Sequence, residues 1–268
     1  MIQAMETLRK RAQELLETGT VQLIIGYAEG SNGRVRPLFA RRTEDLENLV
    51  IDERCSLNLA VYLRKPEVRA LGKPGIVATS AVLRSILQLA AENHLNGLEP
   101  LYLALDGSGE VVELTTPDQI AAHLAKLGPA APQFSTVDLE GMDRAARFGF
   151  WQNEFDRCIR CYACRASCPM CYCDQCLVEC NQPQWIPVPA HAVGNLEWHI
   201  SRAMHLAGRC VECGACTAAC PVGIPLNLIN HHLADLIEKK FGGRAGTSVN
   251  LDYPLSVFRA DDREDFIK

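Results

Sequence analysis

The feature that most constrains this chain is a cysteine pattern that occurs twice in its C-terminal half. Residues 158–169 and 210–221 both read C-x2-C-x2-C-x3-C-P, where x is any residue. Twelve of the 13 cysteines lie between Cys158 and Cys220, and the remaining one, Cys55, stands alone. In a chain without an export signal, thiols at this density indicate metal ligation rather than disulfide bonds. Zinc sites typically use two separated pairs of ligands. Zinc therefore does not explain why each segment has a third cysteine at the same three-residue interval.

The repeated spacing resembles that of bacterial two-cluster ferredoxins, in which the fourth cysteine of each run ligates the other cluster. This resemblance predicts two 4Fe–4S clusters, each tied to both segments and therefore close to the other, as in an electron relay. The ligands predicted in this way are Cys158, Cys161, Cys164 and Cys220 for the first cluster, and Cys210, Cys213, Cys216 and Cys168 for the second.

Four further cysteines follow the first motif, and an ordinary two-cluster ferredoxin does not need them. They are Cys171, Cys173, Cys176 and Cys180. Four thiols within ten residues can close a third metal centre, with Cys55 as an alternative outside ligand in place of Cys180. Iron–sulfur is favoured over zinc here because cluster assembly is already required. The other interpretation is free thiols that pack as small apolar groups.

Cationic and imidazole side chains lie near the predicted ligands. Because reduction adds negative charge to a cluster, nearby cations would favour the reduced state. The other interpretation is that these cations are solvated surface groups with no effect on the clusters. His199 and His205 could tune the second cluster or move protons, although such histidines are more often structural. The flanking cations are Arg157, Arg160, Arg165 and Arg209.

The first 140 residues alternate helix and strand patterns, which predicts a small α/β domain. Gly30–Gly33 is a turn signal between two strands of a hairpin, and helices are expected from Thr43 and over 56–64. The longer predicted elements are helices over 3–18, 80–93 and 116–127, and strands over 21–27, 35–40, 76–79 and 101–105.

The rest of the chain predicts a ferredoxin-like dicluster domain with added helices, so the expected fold class is α+β or α/β. One added helix covers 195–208 with Asn195 as its N-cap, and another covers 225–241. A proline-rich linker over 128–133 separates the two parts. The predicted domains are an α/β docking domain at 1–140, the dicluster domain at 141–242 and an extended docking tail at 243–268.

Composition limits the classes of partner. The net charge is −5 and the pI about 5.8, so the chain lacks the basic character that nucleic-acid binding requires. The apolar run Leu59–Leu63 is far shorter than the roughly 18 residues of a membrane span. With no signal-peptide pattern near Met1, we expect a cytoplasmic protein.

Beyond the ferredoxin pattern, the sequence resembles the beta subunits of formate dehydrogenases and of deazaflavin-coenzyme hydrogenases. Within that family, it most resembles the members that work with heterodisulfide-reductase-type electron-bifurcating complexes. The match is specific over 155–260 and weaker before it. The segments that carry it are 155–158, 168–176, 198–210, 221–226, 254–258, 25–27, 58–63 and 75–77.

One departure from the family bears on cofactors. Its members commonly carry Cys-Asp-Ser-Arg a few residues after the Gly75-Ile76-Val77 segment, but this chain has Ala81-Val82-Leu83-Arg84. The chain also lacks a G-x-G-x-x-G dinucleotide fingerprint. Both observations argue against a flavin on this chain.

The resemblance implies a non-catalytic electron-transfer subunit of a soluble oxidoreductase. Its expected partners are a catalytic subunit of the formate dehydrogenase or hydrogenase type and a flavin- or heterodisulfide-reductase-like subunit. The alternative is an enzyme: a flavoprotein beta subunit that itself reduces a deazaflavin or nicotinamide coenzyme. A third hypothesis is a redox-sensing or scaffold module whose clusters serve the structure. No Ser-His-Asp or Cys-His catalytic arrangement can be argued from this sequence.

Overall fold

The computed structural model describes residues 2–128, 137–139, 141–180 and 182–249. The fold is mixed α+β, as the sequence predicts. Within these ranges the helices are α1 (Ile2–Glu17), α2 (Pro66–Arg69), α3 (Ser80–Ala91), α4 (Pro117–Leu127), α5 (Arg144–Asp156), α6 (Ala163–Ala166), α7 (Ala192–Leu206), α8 (Ala215–Ala218) and α9 (Leu226–Phe241). The strands are β1 (Leu23–Glu29), β2 (Val35–Ala40), β3 (Leu49–Val50), β4 (Pro74–Ala78), β5 (Leu101–Leu105) and β6 (Val111–Leu114).

The described strands form one sheet in the order β2-β1-β4-β5-β6, and β3 pairs with the end of β1. β1, β4 and β5 are parallel, whereas the edge strands β2 and β6 are antiparallel to their neighbours. All five residues of β4 are buried, as expected for a central parallel strand that is covered on both faces. The β4–α3–β5 unit is a parallel crossover, so the α/β layer predicted for the N-terminal half is present.

β6 and α5 are among the described elements that were not predicted from the sequence. β6 returns from the turn at Asp106–Gly109, whose Asp106 side chain accepts backbone hydrogen bonds from Ser108 and Glu110. α5 begins after Asp143, which caps it through the backbone N–H of Ala146. The sequence hides α5 because its apolar side chains do not form one stripe, and only Phe155 is buried.

Three local predictions need correction. The segments Thr43–Asn48 and Leu59–Arg64 are 3₁₀ helices rather than α-helices. The N-cap of α7 is His191, four residues before the expected Asn195. Most of the predicted linker, and the tail beyond 249, lie outside the described residues.

The described start of the tail contacts the N-terminal half of the same chain. The backbone N–H of Gly246 donates to Oε1 of Gln88 at 3.0 Å, and Val249 packs on the N-terminal core. That core also includes Met170 and Leu206 from the cysteine-rich half. A second core, formed around Phe155, Trp198 and Ile224, lies within the C-terminal half.

Gly26 in β1 provides a test of the packing between the sheet and β3. A Cβ atom at Gly26 would overlap Cδ1 of the buried Leu49 and lie 3.3 Å from Cγ2 of Val77. We expect Gly26→Ala to lower the free energy of unfolding by about 1–3 kcal/mol because an overfilled core must shift.

The matched control is Gly107→Ala, the same chemical change in a turn where no atom lies within 4 Å of the added Cβ. Its unfolding free energy should change by less than about 0.5 kcal/mol. Denaturant unfolding of both variants measures the difference, and equal midpoints would show that the packing around Gly26 is loose.

Candidate metal centre

The two cysteine motifs fold into the same loop. In each motif, two residues have a positive φ: those two and four positions after the first cysteine. They are Arg160 and Tyr162 in the first motif, and Glu212 and Gly214 in the second. The turn aims backbone N–H groups at sulfur: the N–H of Arg160 lies 3.4 Å from Sγ of Cys158, and that of Glu212 lies 3.4 Å from Sγ of Cys210. A non-glycine residue at positive φ is costly, so its use in both loops marks a functional constraint.

Four of the predicted ligands, which we name the first quartet, lie together in the C-terminal half. They are Cys158, Cys161, Cys164 and Cys220. Burial raises the pKa of Cys158, and the neighbouring charges of Cys161 and Cys220 raise it further. Burial also raises the pKa of Cys164 to about 11. Cys161 is the exposed member of this quartet, whereas the other three pack on the second core.

The second quartet bridges the two cores: Cys168 and Cys210 pack on the N-terminal core, and Cys216 belongs to the second core. It consists of Cys168, Cys210, Cys213 and Cys216. Burial raises the pKa of Cys213 to about 12, and the neighbouring Cys168 adds to this increase. Burial likewise raises the pKa of Cys210, with contributions from Cys213, Cys168 and Cys216. None of these four cysteines is exposed.

The N-terminal half contributes directly to the surroundings of the second quartet. The buried side chain of Asn58 lowers the pKa of the Cys213 thiol, against the larger effect of burial. Asn58 is held by a 2.8 Å hydrogen bond from its Nδ2 to Oγ of Ser85. Residues 81–83, where related subunits carry Cys-Asp-Ser, form the start of α3; Val82 and Leu83 are fully buried there.

Asn195 has a structural role other than the predicted helix cap. Its Nδ2 donates to the carbonyl oxygens of Phe155 at 3.0 Å and Cys158 at 2.9 Å. It therefore fixes the entry of the chain into the first motif. Two other links join the motifs to their surroundings: Oγ of Ser167 donates to the carbonyl of Ala215, and Arg160 donates to the carbonyl of Gly194.

Arg202 on α7 is buried among members of both quartets. Its buried positive charge shows whether an anionic cluster fits the site. Only 5% of Arg202 is exposed, and its Nη2 donates to the carbonyl oxygen of Cys164 at 3.0 Å. Burial opposes its charge, but nearby cysteine thiolates, beginning with Cys168, raise its pKa above the usual value. A buried cation requires a negative partner. Metal-bound thiolates meet that requirement, so the residues fit 4Fe–4S clusters.

The sequence analysis missed Arg202, although a signal was present. The buried residues of α7 recur at helical spacing, and Arg202 falls on this stripe with Asn195, Trp198, His199 and Leu206. An arginine on the apolar face of a helix is unusual, since guanidinium groups are rarely buried without a partner.

The flanking arginines of the sequence analysis have their own partners. Arg165 pairs with Glu179 at 2.6 Å, Arg209 pairs with Glu92 at 2.8 Å, and Arg157 pairs with Glu154. Carboxylates therefore offset the charge of three of these four side chains. The fourth, Arg160, is buried and donates to backbone carbonyls.

Tyr172, between two of the extra cysteines, joins the two halves of the chain. Its ring lies between the guanidinium groups of Arg64 and Arg209, each 4.6 Å from the ring centroid. Its hydroxyl bonds to Glu92, and its carbonyl accepts a 2.9 Å hydrogen bond from Arg64. This contact holds the segment after the first motif against the N-terminal half.

Three of the four extra cysteines share a cavity. Cys171, Cys173 and Cys176 line a cavity of about 40 Å³, which has room for only a few water molecules, and Cys180 does not line it. The third metal centre stays a prediction.

Cys55 lies elsewhere, in the N-terminal core. Its Sγ accepts a hydrogen bond from the backbone N–H of Asp52, and burial raises its pKa to about 11. It does not line the cavity of the extra cysteines. Its role as an outside ligand stays a prediction.

A larger cleft opens between the segment 60–66 and the cysteine loops at 161–179. Its volume is about 550 Å³, within the range of small-molecule sites. Arg64 and Lys65 line one wall, and the exposed thiols of Cys161 and Cys173 lie on the other.

Comparison with known proteins identifies the cysteine-rich part. A family model described as 4Fe–4S dicluster domain matches residues 157–225. These residues are a 4Fe–4S dicluster domain. Its bounds enclose both quartets. None of the helices in the described ranges is long and apolar enough to cross a membrane.

Two curated relatives are similar to part of the chain. The F420-dependent formate dehydrogenase subunit beta of Methanocaldococcus jannaschii is 34% identical over 110 residues, which are 41% of this chain and 28% of the relative. The F420-dependent formate dehydrogenase 1 subunit beta of Methanococcus maripaludis is 32% identical over 96 residues, 36% of this chain and 24% of the relative. The chain thus spans about a quarter of the length of the relatives it matches.

His199, beside Arg202, gives a pH-dependent test of the site. Burial, followed by the charges of Arg202 and Arg160, lowers the pKa of His199 to about 3. The unfolded chain binds this proton below about pH 6.5, so the folded state loses stability as the pH falls from there towards 3. The loss approaches 1.4 kcal/mol per pH unit, an order-of-magnitude slope of about RT ln 10.

The substitution His199→Phe keeps an aromatic ring against Phe155 and removes the titrating group. In the wild type the ring centroids of His199 and Phe155 are 4.4 Å apart. The variant should lose stability less steeply than the wild type when denaturant unfolding is compared between about pH 7.5 and pH 5. His205→Phe, at an exposed position on the same helix, is the control. Parallel pH curves for the wild type and His199→Phe would contradict a buried neutral imidazole.

Proposed function

We propose that this chain is an iron–sulfur electron-transfer subunit of a formate dehydrogenase-like complex. The observation that carries the proposal is the dicluster domain with two cysteine motifs, both of which contribute thiols that act on the buried guanidinium of Arg202. In this proposal the first quartet holds one 4Fe–4S cluster and the second quartet holds the other. The clusters supply one-electron transfer when bound. In this proposal the chain relays electrons and supplies no bond-making chemistry of its own.

The residues make the two ends of the site different. Cys161 is exposed in the first quartet and Ile159 beside it is 58% exposed, so this end faces a partner surface. In the second quartet, Cys168 and Cys210 pack on the N-terminal core, and Asn58 from that half acts on the pKa of Cys213. Exclusion of water strengthens electrostatic effects at that end and separates it from small oxidants. We infer that one partner binds beside Cys161 and the other contacts the N-terminal half.

The partner classes follow from the relatives and from the sequence resemblance. The partial relatives are named as beta subunits of F420-dependent formate dehydrogenases. This supports a catalytic partner of the formate dehydrogenase type, with a hydrogenase-like subunit as the related possibility. The resemblance to subunits of heterodisulfide-reductase-type bifurcating complexes supports a flavin-bearing second partner. A cytoplasmic location, and the division at about 140 and 242, belong to the same proposal.

A second candidate is the flavoprotein beta subunit that itself reduces a deazaflavin or nicotinamide coenzyme. The 550 Å³ cleft favours it, because Arg64 and Lys65 could bind an anionic coenzyme beside Cys161. Against it, the start of α3 carries Ala81-Val82-Leu83 and contributes apolar side chains to the core. Bound flavin in the purified protein would distinguish the two candidates.

Iron content tests the proposal directly. The full chain, purified without oxygen, should contain about eight irons and eight acid-labile sulfides and no flavin, and its reduced form should show two interacting EPR signals. About twelve irons would establish the third centre at the extra cysteines. Stoichiometric flavin would favour the flavoprotein enzyme over the electron-transfer subunit. Zinc in place of iron would overturn the electron-transfer proposal.

Two serine variants test the ligand sets. Cys164→Ser removes a ligand of the first quartet and should reduce the iron content by up to about four per chain, with loss of one EPR signal. Cys55→Ser, a buried thiol outside both quartets, is the control and should retain all the iron. Full iron and both signals in Cys164→Ser would exclude it as a ligand.

The partner is tested separately. A tagged chain, recovered under anaerobic conditions from its own source cells, should bring with it a formate dehydrogenase- or hydrogenase-type catalytic subunit. Formate or hydrogen should then bleach the visible absorption of the clusters in the recovered complex. Recovery of a stable complex that responds to neither donor would reject this assignment of the partner while leaving the clusters established.

A further inference from the structure

The guanidinium of Arg202 is the point at which the surroundings of the two quartets meet. Its Nη2 donates to the carbonyl of Cys164, which belongs to the first quartet. The charges of Cys168 and Cys216, from the second quartet, act on it together with those of Cys164 and Cys171. Each of these thiols in turn has Arg202 among the groups that act on its own pKa. One side chain is therefore close to both halves of the proposed relay.

Among the residues that the structure describes, no acidic side chain pairs with Arg202. Its Nη2 donates to the carbonyl oxygen of Cys164, and its buried Nε has no hydrogen-bond partner. Arg165, only one residue from Cys164 along the chain, is different because Glu179 binds both of its terminal nitrogens, at 2.6 and 3.0 Å. The imidazole of His199 is held neutral beside Arg202 and adds no charge.

A buried positive charge has opposite effects on the two redox states of a cluster. A 4Fe–4S core with four thiolate ligands is an anion, and reduction adds one electron and one more negative charge. Attraction to a fixed cation is thus stronger in the reduced state, and low dielectric surroundings increase the difference. The electron comes from the redox partner of the proposed function, and Arg202 neither gains nor loses a proton.

We propose that Arg202 is a positioning residue that raises the reduction potentials of both clusters together. This inference rests on the proposed function, since it requires a cluster at each quartet. It assigns to Arg202 a role that Arg157, Arg165 and Arg209 do not have, because carboxylates already pair with their guanidinium groups.

The test is a redox titration of the full-length protein, followed by EPR. At an ambient potential near the wild-type midpoints, Arg202→Gln should lower the ratio of reduced to oxidised form about tenfold for each cluster, which equals about 59 mV for a one-electron couple. Arg165→Gln is the matched control, because it removes the same charge from a more exposed side chain, where solvent screens the change. Its ratios should stay within about twofold of the wild type, far below the tenfold change.

Arg202→Lys separates charge from shape. It keeps a positive charge in the same place, so both ratios should remain within about threefold of the wild type. If the Arg202→Gln protein loses its iron, the Arg202→Lys protein still tests the inference. Retained iron and near-wild-type ratios in Arg202→Lys support the role of the positive charge. Loss of iron in Arg202→Lys, or a shift as large as in the glutamine variant, would reduce Arg202 to a structural hydrogen-bond donor for Cys164.

The remaining outcomes are distinct. Unchanged ratios in an iron-replete Arg202→Gln protein overturn the inference and leave the proposed function intact. A shift at one cluster alone overturns the shared effect. A wild-type protein without 4Fe–4S signals overturns the proposed function itself, and it does so before any variant is compared.

Discussion

The buried guanidinium of Arg202 lies among thiols from both quartets, Cys164, Cys168 and Cys216, and the rest of the site is arranged around that charge. Burial raises the pKa of thiols such as Cys164 and Cys213, so they become thiolates only where positive charge compensates. Arg202 supplies one such charge, and the iron of the proposed clusters would supply the rest. The same argument explains why left-handed loops direct backbone N–H groups at Cys158 and Cys210.

The α/β half is part of this arrangement rather than an independent attachment. Its core extends to Met170 and Leu206, and its Asn58 acts on the pKa of Cys213. The contacts of Tyr172 with Arg64 and of Gly246 with Gln88 join the cysteine-rich half to the N-terminal half. The members of the second quartet are not exposed, whereas Cys161 of the first quartet is.

Most of the regular elements follow from local patterns. The helix α4 begins with a capping box at Thr116, and the parallel strands β4 and β5 are short apolar runs next to turn signals. The failures also have physical causes. Residues 59–64 form a 3₁₀ helix because packing beside α3 overrides their helical pattern. Asn195 carries the composition of a helix cap, but its amide is needed inside the fold to hold the start of the first motif.

The sequence alone determined the chemistry of the chain, because ligand type and spacing are local properties that two repeats of one motif express without reference to the fold. The dicluster domain was predictable for that reason. The tertiary arrangement alone established which residues act on the thiols from elsewhere: Asn58 in the N-terminal half, Arg202 on α7, and the carboxylates that pair with Arg165 and Arg209. Electrostatic effects depend on distance and burial, and neither quantity can be calculated from the order of residues along a chain.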